Sequence, residues 1–122
     1  MESPHKGKTG LKRLFNALKY SLAGLQAAFR NEDAFRQEVM SACVLVPLAF
    51  YLESDMLSRA MMIACVFLVL MVELLNSAIE ATVDRISLED HRLAKRAKDI
   101  GSAAVLVSTV NLVVVWGLIL WK

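Results

Sequence analysis

Four stretches of the chain carry a regular apolar pattern. In the first, Leu11, Leu14, Phe15, Leu18, Leu22, Leu25 and Phe29 recur at steps of three and four, with a single step of one. That spacing places them on one stripe of a helix over residues 11–30. Lys12, Asn16, Lys19, Gln26 and Arg30 fall opposite. A leucine and phenylalanine face backed by a basic face suits a helix lying in the headgroup layer of a bilayer. The next stretch, residues 32–52, is a first candidate span. Asn31 is placed to cap it, and Glu32 and Asp33 sit in the first turn, where the helix dipole favours negative charge. Its charge-free part begins only after Glu38, so Arg36, Gln37 and Glu38 must lie near an interface or be covered by other helices. "ESDMLSR" then makes a short turn. Residues 56–83 give a second helix of about 42 Å, long enough to span and protrude. The last helix, 98–121, is charge-free from position 100 onward. Between these two, "DRISLEDHRLAK" over 84–95 reads as a charged loop, and "MESPHKGKTG" over 1–10 as a frayed tail. The "GKT" in that tail lacks the preceding glycine and strand of a phosphate loop. The predicted fold is all-α and membrane-embedded: one domain over 1–122, with a surface helix followed by three spans.

Composition agrees. The hydrophobic fraction is 57%, against roughly 45–50% for a soluble domain. Acids and bases crowd positions 2–38, 53–59 and 84–99. The net charge of +2 is not gathered into a basic face interleaved with aromatics, which argues against nucleic acid as a partner. Cys43 and Cys65 lie in apolar runs without a CxxC or a His companion and read as small packing residues. No apolar signal-peptide core follows the basic N-terminus within the first stretch. Lys6, Lys8, Lys12, Arg13, Lys19 and Arg30 precede the first span, and Arg85, Arg92, Lys95, Arg96 and Lys98 lie between the second and third, whereas the 53–59 turn has only Arg59. The positive-inside rule therefore places the N-terminus and the 84–95 loop in the cytoplasm and the C-terminus outside.

Candidate chemistry lies in "VELLNSAIEATVDR". Glu73, Asn76 and Glu80 stand at i, i+3 and i+7, with Asp84 at i+11, so they share one helix face. Counted inward from the outer end, Glu73 is about 26 Å deep and Glu80 about 36 Å. Glu73 thus sits just inside the cytoplasmic edge of a core about 30 Å thick, and Glu80 just beyond it. By the same count Glu38 and Glu32 of the first span, and Lys98 and Asp99 of the third, reach nearly the same level. A charged acid at the bilayer centre costs at least roughly 2.5 to 3.5 kcal/mol, less near the interface, so this face must meet water, a cation or other helices. Carboxylates near water suit Mg²⁺, which keeps waters and bridges protein acids to substrate phosphates, and Glu32 and Glu80 are placed as its ligands. Glu73, deeper, is placed to act as a base toward a hydroxyl arriving from the bilayer. Lys98 can neutralise phosphate charge. The competing structural reading pairs these acids with Arg36, Lys95 and Lys98, including Glu32 with Arg36 at i, i+4.

"ELLNSAIEATVDR", "RAKDIGSAAVL" and "NEDAFRQE" resemble the hallmark segments of the prokaryotic integral-membrane diacylglycerol kinases. The similarity runs from about Arg13 to Trp121. It implies transfer of the ATP γ-phosphate to diacylglycerol, giving phosphatidate, in a homotrimer of the bacterial inner membrane. It also implies Glu73 as the base, with Glu32 and Glu80 holding metal and nucleotide. Asn76, Lys98 and Asp99 would order the phosphates, together with Arg13 and Tyr20, while Glu89, Asp90 and His91 would touch the nucleotide. Lipid contacts would include Arg13, Ser21, Glu38, Glu73, Ser102 and Trp116. The small residues Gly101, Ser102, Ala103 and Ala104 would permit close helix approach in the trimer. Two other functions compete: an undecaprenol kinase, and a small oligomeric channel or proton-coupled transporter whose acids carry ions. A membrane scaffold with structural ion pairs is the third.

Overall fold

The structure is a computed structural model, and it describes residues 10–86 and 92–121. These form four helices in order, α1 (Gly10–Asn31), α2 (Asp33–Leu52), α3 (Met56–Ile86) and α4 (Arg92–Leu120), with no strand among the described residues. Helices α2, α3 and α4 are each long and apolar enough to cross a membrane. The charged stretch expected as a loop over 84–95 is helical up to Ile86 and again from Arg92. A helix satisfies its backbone internally whatever its side chains, so good helix formers such as Arg, Lys and Ala carry it beyond the apolar run.

Helix α1 keeps Leu11, Leu14, Phe15, Leu18 and Leu22 exposed on its apolar stripe, as a helix resting on a bilayer requires. It meets α2 at one extended residue, Glu32, with φ −118° and ψ 109°. Asn31 does not cap α2. It is the last residue of α1, and its Nδ2 donates back to the Ala27 carbonyl at 2.9 Å. Glu32 occupies the cap position without a side-chain bond.

Arg36 holds the corner. Its Nη1 donates to the carbonyl oxygens of Phe29 at 2.7 Å and Arg30 at 2.8 Å, and its Nη2 pairs with Asp33. The carbonyls ending α1 have no intrahelical donor, and they draw the guanidinium. The Glu32–Arg36 pair of the competing structural reading is replaced by Asp33–Arg36, leaving the Glu32 carboxylate outside it.

At the opposite end, the α2–α3 turn is tied by its own polar groups. Asp55 N–H donates to the Glu53 carboxylate at 3.0 Å, and Ser58 N–H donates to Asp55 at 2.9 Å, capping α3. Arg59 donates to the Glu53 carbonyl at 2.9 Å and lies 4.7 Å above the Phe50 ring.

Helix α3 is the centre of the bundle, packed on α2 and most extensively on α4. Ala49 of α2, Met62 and Val66 of α3, and Trp116 of α4 form the buried core. The Trp116 indole N–H donates to the Met62 carbonyl at 3.0 Å. Farther along, Asn111 Nδ2 contacts the Cys65 sulfur at 3.6 Å, and Lys98 pairs with Asp84 at 2.6 Å. The descending numbers on α4 against ascending ones on α3 fix an antiparallel register. Cys65 is buried in this seam, whereas Cys43 is exposed on α2.

Arg36→Ala should free the α1–α2 corner while leaving the α3–α4 seam intact. The lost charge-assisted bonds are worth about 1.5–3 kcal/mol each. Hydrogen exchange should accelerate over positions 28–36 and stay unchanged around Met62 and Trp116.

Candidate functional site

The polar face of α3 points inward. Glu73 is 5% exposed and Asn76 8%, while Glu80 is half-buried. The 3.6-residue period that places these residues on one side also turns Leu75 and Ile79 outward, where they are exposed. Glu38 of α2, Glu80 and Glu32 all lie close enough to act electrostatically on Glu73. Residues from α2, α3 and the α1–α2 corner therefore converge at one end of the bundle. Measured along α3, Glu73 is about 17 Å from Met62 in the core.

Asn76 stands between the acids and α4. Its Nδ2 donates to Glu80 Oε1 at 3.3 Å. Its Oδ1 is buried and has no hydrogen-bond partner. An unpartnered buried acceptor costs about 1–3 kcal/mol. Directly across the seam is the buried Gly101, where any Cβ would overlap Asn76 Oδ1.

The rim is made of cations and acids in exposed pairs. Lys98 bonds Asp84 at 2.6 Å, and Lys95 bonds Asp99 at 2.7 Å. Such exposed pairs contribute about 0–1 kcal/mol and rearrange easily. Both cations can therefore turn toward an incoming anion.

Ser21, Gly24 and Leu25 of α1, Glu32 at the corner, and Leu74 and Ser77 of α3 line an open groove of about 680 Å³. This groove runs along the α3 face next to the one bearing Glu73. Arg13 and Tyr20 line a separate shallow groove of about 580 Å³ made by α1 alone, whose lining includes none of the acids. Ser102 is exposed beside Gly101, and Glu38 is half-buried on α2. Trp116 lies elsewhere. It is buried in the core near the α2–α3 turn with its indole donor satisfied by Met62, and packing accounts for it there. Glu89, Asp90 and His91 fall outside the described residues.

Among the described residues no group of three or more His, Cys, Asp or Glu side chains is arranged to hold a metal ion. Glu32 and Glu80 nonetheless supply hard oxygen donors suited to Mg²⁺, which commonly takes one or two protein carboxylates and completes its shell with water and phosphate. The competing structural reading, which pairs the acids of this face with Arg36, Lys95 and Lys98, is met at Asp84 and Lys98. The fit of Gly101 to Asn76 is not read from the sequence: it is a contact made by a missing side chain and has no sequence signature.

A family model described as prokaryotic diacylglycerol kinase matches residues 19–120. A diacylglycerol kinase of Pseudomonas aeruginosa is 60% identical over 118 residues, covering 97% of this chain and 96% of the relative. One of Escherichia coli is 50% identical, covering 93% of each. One of Helicobacter pylori is 47% identical, covering 95% of this chain and 90% of the relative.

Because Asn76 Oδ1 is unpartnered, removing the carboxamide should cost little stability. Asn76→Ala is expected to unfold within about 1 kcal/mol of the parent, as the small cavity is offset by relief of the buried acceptor. Reversible unfolding in detergent micelles measures this.

Proposed function

Because the chain belongs to the prokaryotic diacylglycerol kinase family, we propose that it transfers the γ-phosphate of ATP to the free hydroxyl of diacylglycerol at the inner surface of a bacterial membrane. The observation that carries the site assignment is the inward-turned face of α3, with Glu73 buried at its deeper level and Glu80 half-buried toward the rim. That arrangement suits a reaction between one substrate held in the bilayer and another held in water.

Glu73 is the base. Its carboxylate takes the proton of the lipid hydroxyl as that oxygen bonds the γ-phosphorus. The bond from the γ-phosphorus to the β,γ-bridging oxygen breaks, and ADP leaves with the electron pair. Phosphatidate remains in the membrane. A positioned base contributes about 10²- to 10⁴-fold. Lys98, released from Asp84, and Asp99, released from Lys95, order the phosphates, while Asn76 orients Glu80. Arg13 and Tyr20 bind nucleotide from α1, with Glu89, Asp90 and His91 as further nucleotide contacts. The groove lined by Ser21, Leu25 and Leu74 suits an acyl-glycerol entering sideways, with Glu38 and Ser102 at the lipid boundary. Trp116 has its support in packing alone.

Glu32 and Glu80 would hold Mg²⁺. When bound, the ion supplies charge neutralisation on the phosphate oxygens.

A homotrimer completes the site. Arg13 and Tyr20 line a groove of α1 that includes none of the acid cluster, and Ser102, Ala103 and Ala104 are exposed on α4, where a neighbouring helix can approach closely. The basic residues of α1 and of the α3–α4 connection support a cytoplasmic site in the inner membrane, with the C-terminus outside.

Purified protein in mixed micelles with Mg·ATP should phosphorylate diacylglycerol far faster than undecaprenol. Preference for undecaprenol, or ion flux in liposomes with no lipid phosphorylation, would refute the proposal. Glu73→Gln should lower kcat about 10²- to 10⁴-fold with assembly intact. Lys98→Met should lose at least about tenfold more activity than Asp84→Asn. Equal losses would mean that the ion pair itself, and not the lysine on phosphate, is what matters.

A further inference from the structure

Gly101 fills no role in the reaction described above, yet a site residue is fitted against it. It is buried on α4, and a Cβ at this position would coincide with Asn76 Oδ1 and stand 3.3 Å from Asn76 Cγ. Apart from its own helix turn, only Asn76 comes within 4 Å of that Cβ, so what faces the vacancy at 101 is the Asn76 carboxamide. Gly117 on the same helix is exposed and has nothing within 4 Å of its own Cβ position, so a methyl there meets no neighbour.

We propose that Gly101 is a positioning residue: its missing side chain admits the Asn76 carboxamide between α3 and α4 in the one orientation that points Nδ2 at Glu80. The inference rests on the assignment of Asn76 and Glu80 to the site. With the carboxamide pressed against the Gly101 backbone, Nδ2 reaches Glu80 Oε1 at 3.3 Å. Oδ1 is the end turned to the vacancy, which is why it is buried without a partner. Reversing the amide would point a carbonyl oxygen at a carboxylate and leave two buried donors unpaired. Glycine therefore acts at one remove, through Asn76 on the Glu80 carboxylate.

The strain of an added methyl falls on the movable group. The overlapped atom is the tip of a side chain with two rotatable bonds, while the seam is held by the buried core and the Trp116–Met62 bond. Rotation of Asn76 relieves the overlap more easily than separation of two helices. Gly101→Ala accordingly shifts Asn76 and unties Glu80 while the fold persists.

The test compares Gly101→Ala and Gly117→Ala in the full-length protein in lipid bilayers or micelles. Gly101→Ala should lower kcat at least tenfold and weaken Mn²⁺ binding, read by electron paramagnetic resonance without turnover, while KM for diacylglycerol changes less than twofold and the unfolding midpoint stays near that of the parent. Gly117→Ala should match the parent in every readout. The proposal is overturned if Gly101→Ala keeps kcat and Mn²⁺ affinity within twofold, or if its loss of activity merely tracks loss of folded protein. Should Gly101→Ala not fold, magnetic resonance of the Asn76 side-chain amide in the unaltered protein decides. One rigid conformer, whose Nδ2 hydrogens shift on Glu80→Gln, supports the proposal, and a rotationally averaged amide contradicts it. That arm needs no kinase activity, so failure of the functional assignment is read separately from failure of this one.

Discussion

A hydrogen-bonding or ionised side chain on a membrane-spanning helix has to be covered by protein or reached by water, because hydrocarbon offers it no partner. Helix α3 carries three such residues on one face, Glu73, Asn76 and Glu80, and the arrangement of the other helices around α3 meets that demand. Helix α2 brings Glu38 and the α1–α2 corner beside Glu73, and α4 closes over Asn76 with a glycine. The face is covered at its deep end and opens toward the rim, where Asp84 meets Lys98. At the other end of α3 the seam is nearly apolar, built on Met62, Val66 and Trp116. One helix thus joins a conventional packed core to a polar site.

The two connecting corners serve this arrangement differently. Arg36 binds the carbonyl end of α1 and so fixes where the surface helix leaves the bundle, which sets the groove between α1 and α3. It pairs with Asp33, and the neighbouring Glu32 lines the groove. The α2–α3 turn is held by bonds from the Asp55 N–H to the Glu53 carboxylate and from Arg59 to the Glu53 carbonyl. The exposed ion pairs at the polar end of α3, by contrast, are weak enough to exchange partners.

Much of this was legible in the sequence, because hydropathy and helical period are strong signals in a membrane protein. Apolar run length located the spans, and the i, i+3, i+7 spacing placed Glu73, Asn76 and Glu80 on one face. Side-chain pairing was less legible, since it is settled by competition. Arg36 had Asp33, Glu32 and the orphan carbonyls of α1 within reach, and spacing alone could not rank them. Asn31 looked like a cap for α2 and instead closed α1. Helix ends over 84–95 were missed because charge marks the edge of the membrane and not the edge of a helix. Trp116 joined the lipid contacts through the family resemblance, yet it lies in the core, some distance from the acids. The motif "KDIGSAAV" contained Gly101 all along, but nothing in it pointed to Asn76.

The central claim is that the nucleotide and its metal ion gather at the polar end of α3 and nowhere else along it. Paramagnetic relaxation measures this directly, with Mn²⁺ and a non-hydrolysable ATP analogue added to isotopically labelled protein in bilayers. Broadening should be greatest at Glu32, Asn76 and Glu80, decline along α3, and vanish at Met62 and Trp116. Equal broadening at both ends of α3, or broadening centred on Arg59 with Asn76 untouched, would contradict the account.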